Sequence, residues 1–515
     1  MVRLIQILFI AHRNGLSKYL VDNKASFCKV FYIWLFLLLP IKKELRTAGF
    51  GLKLRVTLEE LGPFYIKLGQ ILSIRPDIFN DDVISELSGL QSNVKQFPWS
   101  KANEIILNAY NRPIRDIFVE FNENPIAAGS ISQVYKARLL NGKAFVAIKV
   151  KRPNIEKDIN TDITLLRKVA ILLEALSKTA RHYKIKQIIN EIEYRLHLEL
   201  DFYKEIVNTQ ELARMHRDNG DRNVVFPKIY AEISNQSILV MEWIDAIPVD
   251  DDNALTVNKI NRKKLAETGL HTFFTQVFNF GVFHADMHPG NIMCNSKQQF
   301  ILLDCGLVGR LSEIDKKIIA MIFLSFFDRN YSGFVRAVED SGWATQKIDA
   351  NKLEERIRYI CEPSFNKQMD EISLAQILVN ILKELRLFNV QIPPQLILLQ
   401  KTIINVEGLG KLIDPTLNIW EKSTPFLSKW VANQIGIRGF IKHLKSEIPY
   451  WSYIIPNMLR SHHESVVSNK TKLIEIEHNL SNINKSIKTF LWLFCSLLIT
   501  FIIFELLKIT PPFEL

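Results

Sequence analysis

Three oxygen-bearing side chains stand at intervals that invite chemistry. In His284-Ala285-Asp286-Met287-His288-Pro289-Gly290-Asn291 an Asp is followed five residues later by an Asn. In Ile301-Leu302-Leu303-Asp304-Cys305-Gly306 a second Asp follows thirteen residues after that Asn. A carboxylate at Asp286 suits the orientation of an attacking hydroxyl or water. An amide and a carboxylate at Asn291 and Asp304 suit hard divalent cations that neutralise polyphosphate oxygens. The apolar run Phe300 to Leu303 reads as a buried strand that sets the separation of the two metal ligands. A metal-dependent hydrolase is the alternative, because His284 and His288 are four apart and would face one another on a helix. Pro289-Gly290 follow at once and argue against a continuing helix.

The elements that must position these groups lie upstream. Ile117 to Phe121, Ile131 to Leu139 and Phe145 to Val150 read as strands, with Asn141-Gly142 as the turn between the last two. The third strand contains Val146-Ala147-Ile148-Lys149. It matches the kinase strand whose Lys holds the α- and β-phosphates. Ile238 to Met241 reads as the strand entering a hinge, so that backbone near Glu242 to Ile244 would meet adenine. With Asp286, Asn291 and Asp304, these features describe the catalytic layout of a kinase that binds ATP and Mg²⁺.

The chain departs from an ordinary protein kinase in three places. The phosphate-covering loop, Pro125-Ile126-Ala127-Ala128-Gly129-Ser130, is rich in Ala, which restricts the backbone where close approach to phosphate would favour Gly. About fifty residues separate Lys149 from its acidic partner. The candidates are Glu199, in Glu199-Leu200-Asp201-Phe202, and Glu205, all expected on one helix beginning near Lys186. After Asp304-Cys305-Gly306 little chain precedes a helix start at Leu311-Ser312-Glu313-Ile314-Asp315. There is no Ala-Pro-Glu, so a peptide-docking activation segment is missing.

At 515 residues and 48% hydrophobic composition the chain can bury a large core. The formal charge of +11 suits nucleotide or an anionic membrane face. No Lys/Arg block with interleaved aromatics points to nucleic acid. The five cysteines show no metal spacing and fit a reducing compartment. Thr489 to Phe504 is uncharged. With its apolar flanks it makes about 20 residues, enough to span roughly 30 Å of bilayer. Lys485 and Lys488 before it place the preceding domain on the cytoplasmic side. Two N-terminal runs, Leu4 to Ala11 and Phe31 to Leu39, are too short to span and are expected to lie on a membrane or pack on the domain.

Together these residues resemble the UbiB/ADCK family of atypical kinase-like proteins. The resemblance rests on Lys67-Leu68-Gly69-Gln70, the KxGQ motif, with Leu72-Ser73-Ile74-Arg75-Pro76-Asp77. It continues through Ala127-Ala128-Gly129-Ser130, Lys149, the ExD motif Glu199-Leu200-Asp201, then Asp286, Asn291 and Asp304. It implies an α+β, two-lobed protein-kinase-like fold with an N-terminal helical extension and a C-terminal transmembrane helix. The expected divisions are N-terminal helices over 1–44, the KxGQ extension over 45–115 and a small lobe with a helical insertion over 116–250. A helical large lobe over 251–485 and an anchor over 486–509 complete them. The implied cofactors are ATP and Mg²⁺. They would be met by Ala127 to Ser130, Ile131, Val134, Lys149, Glu199, Glu242, Ile244, Lys67 and Gln70, with Asn291 and Asp304 on the metal and Asp286 as base or orienter. Gly129 departs from the family's all-Ala loop, which bears on nucleotide selectivity.

The family implies support of ubiquinone biosynthesis, around the polyprenylphenol hydroxylation steps. The expected partners are polyprenyl-phenol or quinone lipid precursors, membrane lipids and other enzymes of that synthesis. The expected setting is the bacterial inner (cytoplasmic) membrane with the catalytic domain facing the cytoplasm, or the mitochondrial inner membrane in a eukaryote. No Gly-x-Gly-x-x-Gly fingerprint or iron-ligand triad supports a hydroxylase. A pseudokinase scaffold for quinone enzymes is the non-catalytic alternative.

Overall fold

The computed structural model describes residues 2–17, 40–73, 79–90, 96–176 except 141 and 143, 181, 185–366 except 345 and 347, 373–435, and isolated positions between 488 and 496. Met1–Trp430 forms one compact unit and Val431–Leu515 a second. Among the described residues no helix is long and apolar enough to cross a membrane; the expected anchor at 486–509 lies almost wholly outside them. The run Phe31 to Leu39, residues 74–77 of the extended motif, Cys28 and Cys495 also lie outside. Cys294, Cys305 and Cys361 are free and buried.

Alternation builds the small lobe. Strands β1 (Phe118–Phe121), β2 (Ala127–Ala128), β3 (Ser132–Leu139), β4 (Phe145–Lys151) and, after the short β5 (Val224–Val225), β6 (Ile238–Glu242) are arranged with the order β1-β3-β4-β6 and β2 on β3. Tyr135, Ala137, Val146, Ile148 and Val150 point one way into a dry core. The helix Trp99–Tyr110 closes that core with Ala102 and Ile106. Val134, Lys149 and Leu239 lie in register across three strands and share the opposite face. That face receives Phe202 and Ile206 of the helix Phe202–Asp218.

A second core unites segments far apart in sequence. Leu58, Leu61, Phe64, Leu68, Val83 and Leu87 of the N-terminal helices pack with Ile159, Ile163, Ile192 and Leu196 of the inserted helices Ile155–Leu176 and Ile185–Glu199. The extension and the insertion are thus one helical layer, while the helix Trp99–Tyr110 belongs to the sheet. These cores cut across the division expected at residue 115. The N-terminal helix Val2–Arg13 docks on the same layer through Ile7 and Ile10, with Arg3 paired to Asp162 at 2.8 Å.

Gly69 sits where two helices meet. A Cβ there would come within 2.3 Å of Leu90 Cδ1 and 2.7 Å of Leu58 Cδ1, both in the buried core. Gly69→Ala is therefore expected to cost about 1–3 kcal/mol by overpacking, read as a lower denaturation midpoint with an unchanged m-value.

The large lobe supplies the loops. β7 (Ile247–Pro248), β9 (Ile292–Cys294) and β10 (Phe300–Leu302) join β5 in a four-stranded sheet, and β10 is fully buried. β8 (Val282–His284) pairs with β11 (Val308–Arg310), a strand that periodicity did not announce. The helix Glu313–Phe327 then begins at a Ser312/Asp315 capping box, so the chain between Asp304 and this helix is short. Helices follow to the end of the unit, including Pro394–Ile413, which packs on Arg262–Phe274.

Candidate active site

The expected single helix bearing Glu199, Asp201 and Glu205 is instead two. Ile185–Glu199 ends, and Asp201 caps the next helix by accepting from Tyr203 N at 3.1 Å and Lys204 N at 3.4 Å. An Asp that can cap competes with helix continuation, which is why the chain turns there. The break sends the two glutamates to different lysines. Glu205 takes Lys149 at 2.5 Å, and Glu199 takes Lys67 at 2.8 Å. The question left between Glu199 and Glu205 as partner of Lys149 is answered for Glu205.

Lys149 also reaches Asp304 Oδ2 at 2.9 Å. Enclosure opposes the ammonium, but Asp304 and then Glu205 raise its pKa, so it stays charged. Enclosure likewise opposes ionisation of Asp304, yet Lys149 and the Gly306 amide hold it well below the usual carboxylate range. Glu205 moves the other way. Burial, reinforced by Asp304, pushes it from 4.5 up to about 7, against the pull of Lys149. Between those values the fold binds more protons at Glu205 than the unfolded chain does, so this group's contribution to stability is lost as pH rises through the window. Thermal melts should show wild type losing stability relative to Glu205→Gln from about pH 4.5 to about pH 7. Parallel curves for the two proteins would count against it.

Asp304 is tied into the small lobe by a second route, since Asn208 of the same helix as Glu205 donates to Cys305 O at 3.1 Å. Asn291 lies beside it because Leu303 N bonds to Asn291 O at 3.0 Å. Asn291 Nδ2 donates to Asp286 O at 3.1 Å, which leaves its amide oxygen as an acceptor. With Asp304, whose side chain is 41% exposed to the cleft, this makes an oxygen pair suited to Mg²⁺.

Asp286 sits between β8 and β9. Its amide donates to His284 Nδ1 at 3.1 Å, and Lys401 Nζ meets its Oδ1 at 2.7 Å. Burial would raise its pKa, but Lys401, then Lys67 and His288, bring it down to about 2. Asp286 is thus held ionised. His284 is fully buried and its pKa is lowered by that burial. His288 Nδ1 accepts from Gly290 N at 3.1 Å. Each ring therefore uses a nitrogen to shape the loop, and among the described residues no cluster of metal-ligating side chains forms.

The remaining expected residues fall around this centre unevenly. Lys67 does face it: Glu199, Asp286 and Asp304 together raise its pKa against enclosure. Gln70 donates to Leu90 O at 3.0 Å and so ties its helix to the chain around residue 90. Ala127 and Ala128 form β2, and Gly129 N bonds to Ser132 O at 2.8 Å. Arg152 Nε donates to Gly129 O at 2.9 Å. The loop over the cleft is therefore a bonded hairpin, with Ser130 half-buried and Ile131 turned against the helical layer. At Gly129 an added Cβ would meet only Ser132 O at 3.6 Å, so Ala would fit. At the hinge, the Glu242 amide is committed to Lys228 O at 2.8 Å and its carboxylate to Lys228 N at 3.1 Å. Ile244 is half-buried, and among the described residues its main-chain groups make no hydrogen bond, so it is the better placed of the two for adenine.

Lys401 escaped the sequence reading. It lies in the apolar run Leu396-Ile397-Leu398-Leu399-Gln400-Lys401-Thr402-Ile403. A lone cation on a largely buried helix was the available signal, because such a charge needs a partner.

Comparison with known proteins agrees with this geometry. Residues 89–338 match the ABC1 atypical kinase-like domain, and residues 357–418 match the UbiB helical domain. A protein of Histophilus somni (strain 129Pt) named "Probable protein kinase UbiB" is 38% identical over 489 residues, covering 93% of this chain and 89% of that protein. Its namesake in Pasteurella multocida (strain Pm70) is 38% identical over 468 residues, 87% of this chain and 88% of its own. That of Shewanella sp. (strain MR-4) is 40% identical over 411 residues, 79% and 74% respectively. The chain belongs to the UbiB family of ABC1 atypical kinase-like proteins.

Proposed function

We propose that this protein is a membrane-anchored, ATP-dependent kinase-like enzyme that supports ubiquinone biosynthesis. The observation that carries the reading is the Lys149–Asp304 contact of 2.9 Å, with Glu205 behind the Lys and Asn291 and Asp286 across the cleft. Mg²⁺, when bound, neutralises phosphate oxygens and polarises the terminal phosphoryl group. Lys149 would hold the α- and β-phosphates, Asn291 and Asp304 the metal, and Ile244 the adenine. Asp286 would orient the acceptor; held ionised by Lys401, it fits positioning better than proton uptake. The short run from Asp304 to the helix at Glu313 offers little for a peptide to dock on, which favours water or a small molecule as acceptor.

The lipid setting rests on different support. The uncharged run Thr489 to Phe504 with its apolar flanks reaches the length of a span, about 20 residues, and the net charge of +11 suits an anionic membrane face. Polyprenyl-phenol or quinone precursors would be the lipids acted upon, directly or through partner enzymes of the hydroxylation steps. Quinone-intermediate profiling in a strain lacking the protein tests this. Wild type should restore the quinone, and Asp304→Asn should leave an early polyprenylated intermediate accumulating. Full rescue by Asp304→Asn would instead favour a scaffold that needs no phosphate chemistry.

A further inference from the structure

We infer that Lys401 is a positioning residue of the catalytic centre, contributed to the kinase-like domain by the helical domain that follows it. This rests on the ATP-dependent reading above and names a part of its machinery. Nζ lies 2.7 Å from Asp286 Oδ1, in a contact spanning 115 residues of sequence. The other two lysines of the cleft are committed, Lys67 to Glu199 at 2.8 Å and Lys149 to Glu205 and Asp304 at 2.5 and 2.9 Å. His288 Nε2 stands off Asp286 Oδ2 at 3.6 Å, too far for a hydrogen bond. Among the described residues Lys401 is therefore the cation that makes direct contact with this carboxylate.

The helix carrying it is locked to the loop. The neighbouring Thr402 is fully buried, and its single hydroxyl proton is shared between Leu398 O on its own helix at 2.9 Å and Ala285 O of the loop at 3.2 Å. The main chain of Asp286 is meanwhile held at its amide by His284 and at its carbonyl by Asn291. What these bonds leave free is rotation of the carboxylate plane. Lys401 restricts it by engaging Oδ1, which leaves Oδ2, 3.6 Å from His288 Nε2, as the oxygen available to an acceptor. The same ammonium offsets the repulsion that a bare carboxylate would exert on an incoming polyphosphate. Residues 89–338 alone thus lack a part of the centre that residues 357–418 provide.

The test compares wild type, Lys401→Met, Lys401→Arg and, as a control on the same helix, Lys411→Met, whose partner is the remote Glu407 at 3.5 Å. Mg-ATP turnover, KM and nucleotide affinity would be measured on the full chain, with a thermal melt of each variant. Lys401→Met should lose about 10²-fold in kcat, the scale of a misplaced catalytic group. Its KM and nucleotide affinity should stay within about threefold of wild type. Lys401→Arg should recover most of the loss because charge and donor are kept, and Lys411→Met should match wild type. A kcat for Lys401→Met within twofold of wild type overturns the inference and leaves the enzymatic reading intact. So does a folded Lys401→Arg that loses about 10²-fold in kcat relative to wild type, an outcome that also decides the matter if Lys401→Met fails to fold. Absence of turnover in wild type overturns both.

Discussion

Asp304→Asn is expected to abolish Mg-ATP turnover, by about 10²–10³-fold or more, the scale of removing one charge-stabilising group from a transition state. The substitution keeps shape and removes charge. It takes a hard anionic ligand from the Asn291/Asp304 oxygen pair and one of the two anions that anchor Lys149. The fold should survive, because Lys149 retains Glu205, and Glu205 no longer faces the anion that helps push its pKa up. A melting temperature near that of wild type together with lost turnover is the expected pair of results. Retained turnover in the folded variant would remove Asp304 from the chemistry.

Lys149→Met should do the reverse and damage the fold along with nucleotide binding. Glu205 is 5% exposed, and the substitution leaves it facing Asp304 with no cation between them. Breaking a buried ion pair by removing one partner costs about 3–5 kcal/mol, because the desolvation of the remaining charge is no longer offset. Without Lys149 the Glu205 carboxyl, already pushed up to about 7, must stay ionised in a buried site or take up a proton, and Glu205→Gln removes that cost, so the double variant should be more stable than Lys149→Met alone. Denaturant titrations of the two single variants and the double variant give the coupling directly. Additive effects would mean that the 2.5 Å contact carries no pair energy. Nucleotide affinity should stay lost in the double variant, which separates the fold from the site.

Much of this protein was legible along the chain because the relevant physics is local. The strand alternation around Lys149, the turn before it, the loop spacing of Asp286, Asn291 and Asp304, and the capped helix start after them all depend on near neighbours. So did the Ala-rich loop, which the fold ties down as a hairpin with Gly129 held at both its amide and its carbonyl. Tertiary structure alone decided the charge pairing. Lys67 with Glu199, Lys149 with Glu205 and Asp304, and Asp286 with Lys401 join residues from separate helices and loops. Sequence spacing cannot rank such partners, because any buried cation must find an anion and several were within range. The cap at Asp201 settled one choice by splitting a helix, and the seating of Thr402 under Ala285 settled another by bringing Lys401 to the loop. The acids and lysines of the cleft were written in the chain; which acid answers which lysine came from how the helices pack.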